Sequence, residues 1–401
     1  KECLKNEYSF VSAQEAKSAQ QCVLIIEVDR KPESTSDATT TVDEKWSDCL
    51  EKGRNRLVVR IWKGGSNWWN LNRNQDPVVI ARQEIRGYQM AHQAFQKNQA
   101  SHISIPRVLY YQLNEKNTPS SSGGHCWAVL EYVGLQSTLF DENRILVCSY
   151  MDGMIKVRHE FGFDEPHPRW GRVPIEECLD YATMILKEVV LPLQQNTKRI
   201  PHDADDNGMK PQNFATMVQK YYNTFQELWS SGQNDAAVQA DGRMMKALET
   251  VKEAVTRILP QHLPNIPPMS PVLVHLDLQP QNLLFYKTKQ QNNNEESNHH
   301  HDSSSIHVSS VLDWEDASLA DPRLEVLLMC RKVCANRSQA NALWSIYQES
   351  VVEEDPGPIE PWLKLECIHS IITLLLQSMD LLNGGRNPWE TKKDLWGKLQ
   401  R

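Results

Sequence analysis

Residues 272–285 read VLVHLDLQPQNLLF, and residues 311–316 read VLDWED. The first stretch contains an H-x-D-x-x-x-x-N pattern formed by His275, Asp277 and Asn282, with apolar residues before and after it. The aspartate of the second stretch also follows an apolar run. Short apolar runs bounded by polar residues are typical of buried strands. The two stretches therefore predict strands that hold polar side chains at their ends, with a hairpin between them.

These polar side chains suit the transfer of a phosphoryl group. That chemistry requires a group that orients the attacking hydroxyl, and oxygen ligands that hold magnesium against the phosphates. In the kinase arrangement an Asp accepts the proton of the hydroxyl, an Asn five residues later binds the metal, and an Asp after the next hairpin binds it too. Asp277, Asn282 and Asp313 follow this order and spacing.

The same residues also allow a structural interpretation, because the pattern is loose and carboxylates at strand ends often cap helices or lie on the surface. The apolar strand before the pattern, Leu283 and Leu284 after it, and the second apolar motif at hairpin distance favour the catalytic interpretation. We therefore interpret the two stretches as parts of one catalytic site.

The segments VHLDLQPQNLLF and VLDWEDASLADP together resemble the signature pair of the aminoglycoside phosphotransferase family, which choline, ethanolamine and homoserine-type kinases share. The resemblance implies an α+β, two-lobed protein-kinase-like fold. Its N-lobe would be a small antiparallel β-sheet with one helix, and its C-lobe would be larger and mainly helical. The resemblance also implies an enzyme that moves the γ-phosphate of ATP to a hydroxyl of a small molecule, with ATP and Mg²⁺ as cofactors.

The resemblance implies a role for each polar residue of the two motifs. Asp277 is expected to be the catalytic base, and His275 belongs with it in the catalytic loop as structural support. Asn282 and Asp313 are expected to ligate magnesium. Glu315, at the D-x-E position, is expected to assist the metal or the acceptor.

Two further positions concern the backbone around the catalytic loop. Leu276 stands where the family has the middle glycine of H-G-D, a position that varies among related kinases. Asp321, Pro322 and Glu325 echo the family's D-P-x-x-D stretch, in which an acidic helix residue anchors the catalytic loop through hydrogen bonds. We expect a structural role for Glu325.

The sequence before residue 135 predicts a small antiparallel sheet with one helix. Short runs rich in β-branched and apolar residues predict strands, and the helical period after Asp76 and Pro77 predicts a helix. The predicted strands are residues 22–28, 56–62, 107–113 and 127–133. We assign residues 1–134 to a nucleotide-binding N-lobe.

The resemblance places a basic strand residue and a helix glutamate beside the nucleotide phosphates. Arg60, within the strand sequence VVRIW, and Glu84, in the predicted helix, fit these positions, with Lys63 as an alternative cation. An ordinary surface arginine and a solvated helix glutamate are the structural alternative. The fourth predicted strand resembles the hinge that binds adenine through its backbone, which implicates Glu131 and Val133 in nucleotide binding.

The usual phosphate-covering loop is not evident. No G-x-G-x-x-G sequence occurs, and no glycine precedes Gly53. The loop is therefore either placed before residue 1 or replaced by a glycine-poor version at residues 9–18. We interpret residues 64–67 (GGSN) as a turn, because they follow the Arg60 strand instead of preceding it.

Residues 135–401 predict the C-lobe, which carries the catalytic loop and a helical acceptor-binding region. Apolar residues that recur at three- and four-residue steps predict helices. These segments are residues 175–193, 214–229, 244–259, 322–334, 340–352 and 362–382. A polar tract at about residues 287–305 cannot pack a core and is interpreted as a solvated loop insertion. Residues 159–172, between the hinge and the catalytic loop, are a candidate lining for an acceptor pocket or an interface.

The composition limits the partners and the compartment. A net charge of −8 and an isoelectric point near 5.9 argue against nucleic-acid binding and are compatible with a cationic acceptor. Nine cysteines without a C-x-x-C pair favour a reducing compartment. No apolar run reaches the roughly 20 residues of a membrane-spanning helix. We expect a cytoplasmic protein without a membrane partner. The sequence begins with Lys1 rather than methionine, so this expectation does not extend to N-terminal targeting.

Two other functions are compatible with parts of the sequence. A protein kinase is disfavoured, because no D-F-G or A-P-E segment follows Asp313 and the chain leads almost directly to a helix at Pro322. A catalytically silent nucleotide-binding or scaffold protein would account for the missing glycine loop, but the retained base and metal ligands oppose it. We expect an ATP-dependent small-molecule kinase.

Overall fold

The computed structural model describes residues 8–16, 21–30, 56–62, 65–67, 72–97, 103–113, 126–131, 177–198, 212–235, 238–239, 242–278, 282–288, 305–334, 336–351 and 354–382. These residues belong to two compact units. The first unit contains the described residues up to Glu131 together with Leu284–Asp316. The second contains the described residues between 177 and 283 and those from Ala317 onward.

The first unit contains a five-stranded antiparallel sheet and a separate short hairpin. The strands up to residue 131 are β1 (Tyr8–Ala16), β2 (Gln21–Arg30), β3 (Arg56–Trp62), β4 (Gly65–Asn67), β5 (Asn72–Gln75), β6 (Val108–Gln112) and β7 (Cys126–Glu131). The large sheet has the order β1-β2-β3-β7-β6, and β4 pairs with β5. β2, β3 and β7 are rich in β-branched and apolar residues, which pack well on a pleated surface.

Helix α1 (Pro77–Lys97) covers one face of the large sheet. It begins where the sequence predicts, because the carboxylate of Asp76 accepts a hydrogen bond from the Val78 N–H at 2.9 Å and Pro77 suits the first helical position. Apolar side chains of β3, α1 and β7 then form one cluster between helix and sheet. Its buried members are Trp62, Ala81, Ile85, Cys126 and Ala128.

A distant segment of the chain completes the first unit. β9 (Leu283–Thr288) and β10 (Ser305–Val311) pair with each other, and a short 3₁₀ helix follows at Trp314–Asp316. β10 is also hydrogen-bonded to the chain before β6, because the Ser104 N–H donates to the Ser309 carbonyl at 2.8 Å. The sequence predicts a C-lobe that includes this segment, whereas such contacts group it with the first unit. The predicted boundary at residue 134 and the polar tract at 289–304 lie outside the described residues.

The second unit is mainly helical, and its helices follow the predicted segments. They are α2 (Cys178–Ile185), α3 (Leu191–Thr197), α4 (Phe214–Asn234), α5 (Gly242–Glu253), α6 (Arg323–Lys332), α7 (Arg337–Ser350) and α8 (Glu360–Leu382). Single π-helical turns extend α2 at Leu186–Val190 and α5 at Ala254–Ile258. Asn213 and Asn336 cap α4 and α7, because each side chain accepts a hydrogen bond from a backbone N–H of the first turn.

Buried Arg323 fixes the start of α6. Its guanidinium donates to both carboxylate oxygens of Asp321, at 2.8 and 2.6 Å. It also donates to the backbone carbonyls of Pro267 at 2.8 Å and Pro356 at 3.0 Å, and it lies 4.6 Å from the ring centroid of Trp362. These contacts satisfy a buried cation and tie α6 to two loops and to α8.

The predicted α+β class is confirmed: the first unit has a small antiparallel sheet with α1, and the second unit is mainly helical. Strand β1 was not predicted. It lies at the edge of the sheet, and its side chains Phe10 and Val11 are 47% and 48% exposed. An exposed edge strand needs few apolar residues, so its sequence gives a weak signal. The predicted turn at 64–67 is instead largely the short strand β4. No helix among the described residues combines the length and apolar character needed to cross a membrane.

Candidate functional site

Arg60 joins two carboxylates in the first unit. It lies on β3 opposite Ala128 of β7 and shares the helix-covered face with Trp62, because side chains alternate along a strand. Its Nη1 lies 2.9 Å from Oε1 of Glu84, and its Nη2 lies 2.8 Å from Oδ1 of Asp313. The predicted contact between Arg60 and Glu84 is therefore present, and the aspartate of the VLDWED motif joins it.

Arg60 and Glu84 are shielded from solvent, whereas the side chain of Asp313 is 32% exposed. Arg60 is 8% exposed and Glu84 is 0% exposed, which excludes the surface alternative. Burial alone would lower the pKa of Arg60, but the carboxylates of Glu84 and Asp313 outweigh this effect and raise that pKa well above its ordinary value. Glu84 Oε2 also accepts a hydrogen bond from Nε1 of Trp62 at 2.7 Å. The guanidinium is thus charged and held in one orientation.

Asp313 has an unusual backbone conformation. Its φ angle is 63°, in the left-handed region that Asp and Asn tolerate better than other non-glycine residues. Its N–H donates to the hydroxyl oxygen of Tyr88 at 3.1 Å. Tyr88 follows Glu84 by one turn of α1, and its ring centroid lies 6.4 Å from that of buried Trp314. The helix that holds Glu84 therefore also holds the backbone of Asp313.

Glu315 adds a second carboxylate beside Arg60, with 3.9 Å between Oε2 and Nη2. Burial raises the pKa of Glu315 well above its ordinary value, and repulsion from Asp313 and Asp316 raises it further, whereas Arg60 lowers it. Carboxylates that repel each other in a poorly solvated position favour a nearby cation. Carboxylate oxygens are also the ligands that magnesium prefers.

The predicted catalytic loop lies in the second unit. It follows β8 (Val272–Val274), which pairs antiparallel with β11 (Ser318–Ala320). His275 is 0% exposed, and its Nδ1 accepts a hydrogen bond from the N–H of Asp277 at 3.2 Å. This hydrogen bond ties the backbone of Asp277 to a buried side chain, which agrees with a structural role for His275 in the loop.

Glu325 of α6 holds the backbone of the same loop. Its Oε2 accepts hydrogen bonds from the N–H of His275 and, at 2.9 Å, from the N–H of Leu276. Burial raises the pKa of Glu325 to about 7, although these two donors and Lys332 act in the opposite direction. The predicted structural role of Glu325 is confirmed by these bonds.

Asp277 is held on both sides of its carboxylate. Lys332, the last residue of α6, pairs with Oδ1. The Asn282 amide nitrogen donates to Oδ2 at 2.7 Å and to the backbone carbonyl of Asp277 at 2.9 Å. The structure therefore brings Asp277 and Asn282 together as the motif predicts, and it adds a lysine that sequence reasoning did not identify.

Leu276 has a φ angle of 63°, which accounts for glycine at this position in the family that the motif resembles. Its side chain is 1% exposed. A leucine in this conformation costs about 1–2 kcal/mol of backbone strain, whereas emptying a buried leucine site costs about 2–5 kcal/mol. Burial therefore outweighs the strain.

We expect Leu276→Gly to be less stable than the wild type but more stable than Leu276→Ala by about 1 kcal/mol, because only alanine keeps the strain. Chemical denaturation measures the difference. The matched control is Leu273, a fully buried residue of β8, where ordinary strand geometry makes glycine less stable than alanine. If the glycine variant were less stable than the alanine variant at both Leu276 and Leu273, the proposed backbone strain at Leu276 would be contradicted.

Other predicted positions are less informative. Glu131 ends β7, where its N–H donates to the Arg107 carbonyl at 2.9 Å and its Oε2 lies 3.2 Å from Arg107 Nε. Val133 and residues 159–172 lie outside the described residues. Residues 9–16 of the glycine-poor stretch form most of β1.

Sequence reasoning missed Tyr88 and Lys332. Each had a weak signal, because Tyr88 follows Glu84 by four residues and Lys332 follows Glu325 by seven, so each pair shares a helix face. Within the part of the chain that the structure describes, no group of three or more His, Cys, Asp and Glu side chains is arranged to hold a metal ion.

Comparisons with known proteins give distant likenesses in structure only. No protein-family model matches the chain, and no curated protein matches it. An aminoglycoside phosphotransferase from Alicyclobacillus acidocaldarius is 12% identical over 96% of this chain and 86% of its own, with a TM-score of 0.37. An aminoglycoside-3'-phosphotransferase of type VIII is 13% identical over 92% and 95%, with a TM-score of 0.40. The aminoglycoside phosphotransferase APH(3'')-Id from Streptomyces rimosus is 9% identical over 89% and 92%, with a TM-score of 0.38.

Proposed function

We propose that the chain is a kinase that moves the γ-phosphate of ATP to a hydroxyl of a small molecule, with magnesium as cofactor. One observation carries the proposal: the guanidinium of Arg60 joins Glu84 and Asp313, and separate sequence features single out these three residues. A strand cation paired with a helix glutamate orients nucleotide phosphates in kinase chemistry, and an aspartate after the hairpin holds the metal.

The chemistry of the proposed ligands suits a magnesium ion, because magnesium prefers oxygen ligands. The ligands would be Asp313, Asn282 and, as an auxiliary, Glu315. Both hydrogen bonds of Asn282 to Asp277 use its amide nitrogen, so this orientation offers the amide oxygen to a metal. Magnesium is usually bound by one or two carboxylates with waters and substrate phosphates, so a compact set of three acidic ligands is not needed. When bound, magnesium would neutralise charge on the phosphates.

The other roles follow from the chemistry of each group. Arg60 would contact the nucleotide phosphates, and Glu84 would keep its guanidinium in place. Glu131 and Val133 would bind adenine through their backbone. Asp277 would accept the proton of the acceptor hydroxyl. A carboxylate offers about four lone-pair positions, so its contacts with Lys332 and Asn282 are compatible with accepting another hydrogen bond.

We expect Asp313→Asn to weaken magnesium-dependent ATP binding by at least about tenfold, because changes at metal sites cost this much affinity or more. Asparagine is chosen because it tolerates the φ of 63° while it removes the charge. Calorimetry with ATP, with and without magnesium, measures the effect. Glu249→Gln, which removes an exposed carboxylate of α5, is the control and should bind ATP as the wild type does.

Equal affinity with and without magnesium, in the wild type and in Asp313→Asn, would contradict the metal assignment. ATP consumption with a panel of hydroxylated small molecules then separates a kinase from a silent nucleotide-binding protein. A silent protein would bind magnesium-ATP without consuming it, and a scaffold protein would not bind it.

A further inference from the structure

Helix α6 contacts the catalytic loop at two points. Glu325 holds the loop backbone, and Lys332 pairs with the carboxylate of Asp277. The two residues are seven positions apart on α6, which is close to two helical turns, so they lie on the same face of the helix. One rigid element thus holds both the backbone and the reactive side chain of the loop.

The position of Lys332 is itself fixed. It ends α6, and its neighbour Arg331 pairs with Glu366 of α8. The start of α6 is anchored by Arg323, as described above. A lysine on a mobile chain end would lose considerable entropy on pairing. Here the helix that carries Lys332 is held at both of its ends. The ammonium of Lys332 therefore reaches Asp277 from a fixed base.

The pair is partly shielded, because the side chains of Lys332 and Asp277 are 16% and 18% exposed. Lys332 supports Oδ1 while Asn282 supports Oδ2, so rotation of the carboxylate would break one of the two contacts. The negative charges of Asp277 and Glu325 repel each other, and the positive charge of Lys332 offsets this repulsion. Removing Lys332 would leave the repulsion uncompensated.

We propose that Lys332 is a positioning residue, which holds the carboxylate of Asp277 in the orientation needed to accept the acceptor proton; this inference rests on the proposed function. Positioning matters because small misplacements of a reacting group cost up to about a hundredfold in rate. The competing interpretation is a purely structural ion pair, which would affect stability but not the chemical step.

Lys332→Met is expected to lower kcat about tenfold to a hundredfold and to leave the affinity for magnesium-ATP unchanged. Lys332→Arg, which keeps the charge, should recover part of the loss. Lys364→Met is the matched control, because Lys364 lies in the same unit, pairs with Glu360 and is 40% exposed; its turnover should equal that of the wild type. The assay is ATP consumption with an acceptor from the panel, or with water as the acceptor.

A double variant separates positioning from structure. If Lys332 acts through Asp277, Lys332→Met should cause little further loss of turnover in an Asp277→Asn background. Wild-type turnover of Lys332→Met, or an equal proportional loss in both backgrounds, would overturn the inference while the proposed function stands. If Lys332→Met does not fold, Lys332→Gln takes its place with the same expected results. A wild-type chain that consumes no ATP under any of these conditions would overturn the proposed function and this inference with it.

Discussion

Asp277→Asn is expected to fold, to bind magnesium-ATP nearly as the wild type does, and to transfer phosphate at least about a hundredfold more slowly. General-base catalysis contributes about 10²- to 10⁴-fold, which corresponds to roughly 3–5 kcal/mol of barrier. The asparagine keeps the size of the side chain and its contact with Asn282, so the loss should fall on turnover and not on nucleotide affinity.

Steady-state kinetics with an identified acceptor, combined with calorimetry for magnesium-ATP, tests this expectation. Glu249→Gln serves again as the control for loss of a surface charge and should turn over at the wild-type rate. If purified Asp277→Asn phosphorylated the acceptor at the wild-type rate, Asp277 would not be the base and the mechanism proposed above would be wrong.

Arg60→Met is expected to lower the free energy of unfolding by about 3–5 kcal/mol, because removing one partner of a buried ion pair leaves the other charge uncompensated. Here the remaining charge is Glu84, which is 0% exposed, with the Asp313 carboxylate beside the same site. Chemical denaturation followed by tryptophan fluorescence measures the loss. Magnesium-ATP binding should weaken as well, since the proposed phosphate contact disappears.

The same strand provides the control. Arg56 also lies on β3, but its side chain is 44% exposed and its Nε lies 3.7 Å from Glu27. Exposed ion pairs contribute about 0–1 kcal/mol, so Arg56→Met should be close to the wild type in stability. Adding Glu84→Gln to Arg60→Met should recover part of the loss, because the uncompensated carboxylate is gone. If Arg60→Met were as stable as Arg56→Met, the ion pair of Arg60 with Glu84 would not be buried as described.

The sequence by itself determined most of the elements and the local part of the candidate site. The strand at 56–62 and the helix after Asp76 follow from period and capping, which are properties of neighbouring residues. Asp277 and Asn282 contact each other because they are five residues apart in one loop. The hydrogen bonds of Glu325 to this loop also agree with the prediction from the D-P-x-x-D stretch.

Only the tertiary structure decided which distant residues share these contacts. Arg60 and Asp313 are 253 residues apart, and Lys332 and Asp277 are 55 apart. No local pattern encodes such pairs, because they depend on which faces of α1 and α6 pack against which strands and loops. In the sequence, Lys332 is indistinguishable from a lysine that complements a helix C-terminus. The left-handed backbone at Leu276 was equally hidden, because burial of the side chain offsets a strain that sequence rules assign to glycine.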